Sequence, residues 1–301
     1  MLELESFKGT LFSFGEALWD FFPKKKQPGG SPLNVAYHLS QQGHCCQLVS
    51  RIARDRNGLE LIEFIRQSGI GDHHIQLDMQ YPTGMVKVVL DKGIPSYDII
   101  FPSAWDFIAS TNQLQEHIDP TGLIIYGSLA TRNEVSYRTL IRLLKLVGFR
   151  ILDLNLRAPY IEKGRLDNLL HFANLLKINE EELFFLTDHL DALATIEHRI
   201  EAVAHRYEIP EIICTLGPEG AHYWSSNVSC FHPVFKVEIL DTVGCGDAFL
   251  AGFLSARMHG HSVQEALRSA SARAACVATL PGATPVISHA FLDSLLESGP
   301  V

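Results

Sequence analysis

The stretch "DTVGCGDAFLAGFLSA" (Asp241–Ala256) decides how this chain is read. Two aspartates and two glycines fall within its first seven residues, and an apolar run at helical spacing follows. A helix starting near Gly246 or Asp247 leaves its first amides without intrahelical acceptors and carries the positive end of its dipole there. Flanking glycines let an anion approach without meeting a Cβ. The turn is therefore an anion cradle, yet Asp247 would repel a phosphate that was merely stored in it. The carboxylate makes sense as a base taking a proton from an attacking hydroxyl while the amides hold charge on the transferring group. On local sequence alone it makes equal sense as a helix cap.

Two better-known glycine motifs do not fit. A Walker A loop requires Gly-Lys-Ser or Gly-Lys-Thr, and no glycine in the chain is followed by either pair. A dinucleotide fingerprint begun at Gly244 needs Gly or Ala at 249, where Phe249 stands.

Outward from this turn, short apolar runs bounded by turn residues recur: "LFSFGEAL" (11–18), "QLVSRI" (47–52), "GLIIYGS" (122–128), "RILDLN" (150–155), "NLLKIN" (174–179) and "EIICTL" (211–216). Helical patterns lie between several of them. "PLNVAYHLSQQG" spaces Val35, Leu39 and Gln42 at helical intervals and stops at Gly43, and "NEVSYRTLIRLLKLVG" opens on a capping Asn133 and closes on Gly148. Alternating strands and helices predict an α/β fold, a doubly wound, mainly parallel sheet that binds ligands beyond the carboxyl ends of its strands.

Two regions break the rhythm. "YPTGMVKVVLDKGIPSYDII" (81–100) reads as a β-hairpin turning at Asp91–Pro95, hence a lid, a dimer surface or an extra sheet edge. "FPKKKQPGGSP" (22–32) reads as an irregular piece leading into a helix start, its Gly29–Gly30 pair serving either as a turn or as a ligand contact. No repeat, long linker or low-complexity segment divides the 301 residues, so a single domain is expected over 1–301, with lid segments at about 14–30 and 81–105.

A net charge of −9 argues against a nucleic-acid partner, which needs a basic stripe. No apolar run approaches the roughly 20 residues of a membrane span, and the first 20 residues lack signal-peptide features. The six cysteines are scattered with no CxxC pair, which points to reduced thiols and a cytoplasmic protein. His73 and His74 are either a metal-binding pair or a solvated loop pair.

The turn at 241–247 resembles the DTxGAGD signature of the ribokinase-type (PfkB) carbohydrate kinases. Four further stretches resemble that family's motifs, in the family's order: "GGSPLNVA" (29–36) its sugar-binding GG…N segment, "DLNLR" (153–157) its DxNxR stretch, "KINEEEL" (177–183) its NxxE motif and "TLGPEGA" (215–221) its TxGxxG segment. The resemblance runs from about residue 10 to 285. "GEALWDFFP", "DLNLRAPY" and the 82–108 segment are most similar to bacterial fructokinases.

The resemblance implies a ribokinase-like fold with a small β-rich lid and an ATP-dependent sugar kinase, fructokinase first. Ribokinase, 2-keto-3-deoxygluconate kinase, nucleoside kinase and a catalytically silent sensor are the alternatives. It implies Asp247 as general base and the amides of Gly244, Cys245 and Gly246 as the anion hole. Asp20, Gly30 and Asn34 would bind sugar hydroxyls, with Arg157 between sugar and phosphates. Asn179, Thr215, Gly217, Gly220 and Ala275 would serve the nucleotide. Glu182 would order Mg2+ through water, and Asp241 would belong to a monovalent-cation site for K+. A sugar and ATP are the expected small-molecule partners, with a homodimer formed through the lid. Cys245 departs from the family's alanine, and a thiol at a helix N-terminus is expected to be acidified and sensitive to thiol reagents.

Overall fold

The structure, a computed structural model, describes residue 4 and residues 7–23, 25–91, 94–191 and 194–299. Its strands are β1 (Leu11–Phe14), β2 (Leu18–Phe22), β3 (Lys25–Gly29), β4 (Cys46–Ala53), β5 (Ile75–Asp78), β6 (Gly84–Asp91), β7 (Ile94–Ile99), β8 (Leu123–Gly127), β9 (Phe149–Asp153), β10 (Leu175–Asn179), β11 (Glu211–Thr215), β12 (Gly220–Ser225) and β13 (Ser229–Pro233). Its helices are α1 (Ser31–Ser40), α2 (Arg56–Gln67), α3 (Asn112–Glu116), α4 (Glu134–Leu144), α5 (Lys163–Phe172), α6 (Glu180–Leu186), α7 (Ile196–Tyr207), α8 (Cys245–Met258), α9 (Val263–Ala278) and α10 (His289–Ser298). Asn133 caps α4 as expected, its Oδ1 accepting from Val135 N at 2.9 Å.

Nine strands form one sheet in the order β13-β12-β11-β10-β9-β8-β1-β4-β5. It is parallel from β11 to β5, with β12 and β13 antiparallel at one edge. From β1 the chain winds one way through β4 and β5, then crosses to the other side of β1 at β8 and continues through β9, β10 and β11. The reversal between β1 and β8 opens a crevice at the strands' carboxyl ends, where sheets of this kind bind ligands.

A sheet covered on both faces needs apolar residues in both directions along each strand. Leu11, Ile125, Ile151 and Leu175 enter one core with Leu33 and Phe253, while Phe12, Tyr126, Leu152 and Leu176 enter the other with Leu140 and Val203. Residues two apart share a strand face. Asp153, two beyond Ile151, and Lys177, two beyond Leu175, therefore project toward the α8 side at the sheet's carboxyl edge. Asp247 through Ala256 of α8 are all buried, which explains why its sequence is apolar all round.

The two lid segments supply a second sheet in the order β3-β2-β6-β7. β2 runs antiparallel to β3 and parallel to β6, and β6 and β7 form the expected hairpin. The hairpin's turn includes Lys92 and Gly93, which lie outside the described residues.

Two expectations need correction. "LFSFGEAL" is not one strand: β1 ends in the large sheet, Gly15 turns at φ 143°, and β2 begins in the small one. The irregular piece at 22–32 contains β3, with Pro28 opposite Trp19. Lysine and proline disfavour strands in general, but β3 is an edge strand, where both are tolerated. The β12–β13 hairpin was not anticipated. His73 and His74 pack with His117 at ring separations of 5.1 to 5.8 Å, and no group of three metal-ligating side chains that could hold an ion occurs among the described residues.

Candidate active site

Helix α8 begins at the mouth of the crevice. Its cap, Gly244, has φ 82°, a left-handed conformation suited to glycine, and a Cβ there would stand 2.5 Å from the Cα of Ala283. Cys245 N makes a turn bond of 3.3 Å to Thr242 O, and Ala248 N bonds Gly244 O at 2.9 Å. Between them, the amides of Gly246 and Asp247 have no backbone acceptor among the described residues. The amide of Gly244 likewise has no backbone acceptor among them, so of the trio Gly244, Cys245 and Gly246 only Cys245 is taken up in the turn, and the Asp247 amide joins the open donors.

Asp247 is buried, and both of its oxygens are held by α1. Ser31 Oγ donates to Oδ1 at 2.7 Å and Asn34 Nδ2 to Oδ2 at 2.8 Å. This overturns the cap reading, since no amide of its own helix is held by the carboxylate. Burial lifts its pKa to about 6, with the Asp153 charge adding to the rise while Lys177 and the two hydrogen bonds oppose it. Asp153 and Lys177 face each other across β9 and β10, joined by a 2.8 Å bond from Nζ to Oδ1. The ammonium lies directly beneath the helix tip: a Cβ on Gly246 would come within 3.2 Å of Nζ. Burial disfavours that charge, but Asp153, Asp247 and Glu182 outweigh it and raise the Lys177 pKa.

Two more acids point into the same cleft. Glu16, in the link between β1 and β2, is buried with Oε2 unpartnered. Burial pushes its pKa up to about 7, Asp247 contributing and Arg157 opposing. Asp20 on β2 rises to about 6 through burial and the Asp247 charge, again opposed by Arg157. Its Oδ2 lies 2.2 Å from where a Cβ on Gly29 would be, so Gly29 makes room for Asp20. Gly30 caps α1, and Arg157 is exposed at the cleft rim with Nη1 donating to Leu156 O at 3.1 Å. Asp20, Gly30, Asn34, Arg157 and Asp247, far apart in sequence, thus converge. Glu16, Ser31, Asp153 and Lys177 converge with them but were not singled out from the sequence. Ser31, Asp153 and Lys177 lie inside the motifs quoted above.

Most of the residues expected to serve the nucleotide lie at or beyond the ends of β10 and β11. Asn179 caps α6 by accepting from Glu182 N at 2.8 Å. Glu182 is buried, its two oxygens accepting from Asn179 N at 2.9 Å and Leu156 N at 2.7 Å. Burial raises its pKa despite those bonds and the nearby Lys177. Thr215 ends β11 beside Asn179, and Gly217 faces open space with φ 55°. Gly220 instead serves β13: its φ is 141° and a Cβ would meet His232 O at 2.2 Å. Ala275 is buried among Phe235, Leu292 and Leu295, so its methyl supports the wall rather than lining it.

Asp241 staples two loops, its two oxygens accepting one amide each, from Val243 N at 3.0 Å and Gly282 N at 2.9 Å. Cys245 is the clearest departure. Burial and the Asp241 and Asp247 charges push its thiol up to about 11, against the expected acidification.

Magnesium takes oxygen ligands, keeps several waters and travels with phosphates rather than in an all-protein cage. Glu182 suits that: each amide-bonded oxygen retains lone-pair capacity for a water. The described residues offer no denser cluster of metal ligands.

Comparison with known proteins identifies the family and the fold. The family model described as "pfkB family carbohydrate kinase" matches residues 14–290. Fructokinase-1 of Oryza sativa subsp. japonica is 28% identical over an alignment of 318 positions that covers 95% of this chain and 97% of that one. The crystal structure of a fructokinase with bound ATP from Xylella fastidiosa superposes with a TM-score of 0.84 at 21% identity, covering 96% and 98% of the two chains. A Vibrio cholerae O395 fructokinase in a fructose, ADP and calcium ion bound form gives 0.82 at 24% identity, covering 97% and 99%. The solved structures establish the ribokinase-like fold. With the family model spanning most of its length, the chain belongs to the pfkB family of carbohydrate kinases and is an ATP-dependent sugar kinase.

Proposed function

We propose that the chain phosphorylates D-fructose to fructose 6-phosphate, with Asp247 as the general base. The observation that carries this reading is a buried carboxylate at the tip of α8, oriented by Ser31 and Asn34 beside the open amides. The sugar specificity rests on the relatives named fructokinase.

The sugar's primary hydroxyl lies against Asp247, which takes its proton as the oxygen bonds to the γ-phosphorus and the bond to ADP breaks. A base with a pKa near 6 is ionised at neutral pH and still basic enough to assist. Charge on the transferring group is met by the Gly246 and Asp247 amides and the α8 dipole, with Lys177 beneath. Phosphoryl transfer asks for this kind of alignment and charge neutralisation rather than covalent help. Glu16 and Asp20 accept sugar hydroxyls, Asn34 helps hold the base, and Arg157 bridges sugar and phosphate oxygens. Asn179, Thr215 and Gly217 border the nucleotide. Magnesium bound with the nucleotide supplies neutralisation of phosphate charge, and Glu182 holds its waters. The four-stranded sheet closes over the sugar and excludes water, and its edges form a homodimer.

The test is ADP release measured across a panel of ketoses, aldoses and nucleosides. Release with fructose well above that with ribose, 2-keto-3-deoxygluconate or nucleosides is expected. A stronger response to another acceptor moves the substrate assignment, and silence with every acceptor removes the kinase mechanism.

A further inference from the structure

Arg273 occupies α9 on the side facing α8, its stem crossing at Gly252, where a Cβ would come within 2.9 Å of Cδ. Arg273 is half-buried, and of its guanidinium nitrogens only Nε is enclosed without a partner, while the Nη groups stay open toward the cavity beside it. Among the described residues no carboxylate or carbonyl accepts from Arg273, and its buried Nε has no partner. Burial pulls its pKa down.

The guanidinium lines a cavity of about 110 Å³, whose wall includes His38 of α1, Gln41 just beyond its end, Val286, and His289 and Leu292 of α10. No acidic residue lines it, in a chain whose net charge is −9. The mouth is open at Gln41, Val286 and His289, while His38 is buried. His38 bonds Ala283 O through Nε2 at 2.9 Å, so that nitrogen carries the proton; burial, with Arg273 adding, lowers its pKa to about 4 and keeps the ring neutral. Arg273 is thus the charge that defines the cavity, and its fork of donors matches a carboxylate. Val286 and Leu292 offer the other wall to hydrocarbon. The volume accommodates a molecule of a few heavy atoms.

We propose that this cavity is a binding site for a small organic carboxylate, its charged end on Arg273 and a short hydrocarbon tail against Val286 and Leu292. The site is independent of the sugar and of Asp247; its His38 bonds the carbonyl of Ala283, which packs beside Gly244 of the proposed phosphoryl-transfer turn.

Butyrate is the probe, titrated calorimetrically into the full chain at constant ionic strength, with butylammonium and inorganic phosphate as comparisons. Saturable binding of butyrate and none of butylammonium is expected, with Asp247→Asn binding it as the unmodified chain does. Arg273→Met, which keeps the stem, should weaken binding by about tenfold or more. Should that variant fail to fold, Val286→Asp at the exposed mouth supplies a competing carboxylate and should weaken binding similarly. Absence of butyrate binding, unchanged affinity in the folded variants, or phosphate binding as tightly as butyrate would each overturn the assignment.

Discussion

Lys177 and Asp153 are register partners on β10 and β9, and their 2.8 Å ion pair lies buried directly under the first turn of α8. Removing one partner of such a pair leaves an uncompensated charge and costs about 3–5 kcal/mol. Lys177→Met should therefore destabilise by that order in urea unfolding. It also leaves Asp247 facing Asp153 without the opposing cation, so the acid limb of kcat should move to higher pH. The double variant Lys177→Met/Asp153→Asn should recover much of the stability and reverse the pH shift. A purely structural role for the pair predicts recovery of stability with no movement of the pH profile.

Asp247→Asn keeps the shape of the side chain and abolishes its basicity. The expected loss is about 10²–10⁴ in kcat, with nucleotide affinity largely retained by equilibrium titration. Near-normal turnover would remove Asp247 from its role as base.

Activity and stability should respond to pH in opposite directions. In the folded chain, burial raises the pKa values of Glu16, Asp20 and Asp247 to about 7, 6 and 6 from ordinary values of 4.5, 3.8 and 3.8. A raised carboxyl is favourable to the fold when protonated, so its stabilisation is complete below the unfolded value and lost as pH climbs through the folded one. Unfolding free energy of the ligand-free chain should thus fall between about pH 4 and 7 while turnover rises through pH 6. Glu16→Gln should flatten the upper part of the stability curve by an amount on the order of 2 kcal/mol. Parallel denaturant titrations at several pH values measure it.

Cys245 should be slow toward thiol reagents, since its pKa of about 11 leaves almost no thiolate at neutral pH. Cys45 is exposed and should label first. Peptide mapping after partial modification at pH 7.5 distinguishes them; early labelling of Cys245 with loss of turnover would contradict the structure.

Gly244→Ala places a methyl against Ala283 in a left-handed conformation. A strain of about 1–3 kcal/mol is expected, together with a fall in kcat larger than any change in sugar KM, because the displaced turn carries the anion-binding amides. Steady-state kinetics with a melting curve would test both halves.

The parallel sheet was legible because buried strands announce themselves as apolar runs, and Asp247 because glycines and a helix start mark its turn locally. Asp20, Gly30 and Asn34 came from the resemblance, and the structure brings them together. The Lys177–Asp153 pair was not legible, although both residues sit in quoted motifs, because strand register sets the pairing and register is nonlocal. β3 was hidden for a related reason: its lysines and proline are acceptable only at the edge of a sheet whose existence the sequence does not advertise. The acidity of Cys245 was misjudged because the dipole argument is local, whereas burial and two neighbouring carboxylates are not.

Only Gly15, Glu16 and Ala17 join the large sheet to the small one at this crossing, and Glu16 aims its unpartnered oxygen inward. A swing of the small sheet must therefore rotate the peptide that carries this acid, altering its solvation and its distance from Asp247. Proton uptake and the proposed closure of that sheet would then form one coupled coordinate, so the closure rate should depend on hydrogen-ion activity near neutrality, a dependence that Glu16→Gln would erase in relaxation measurements.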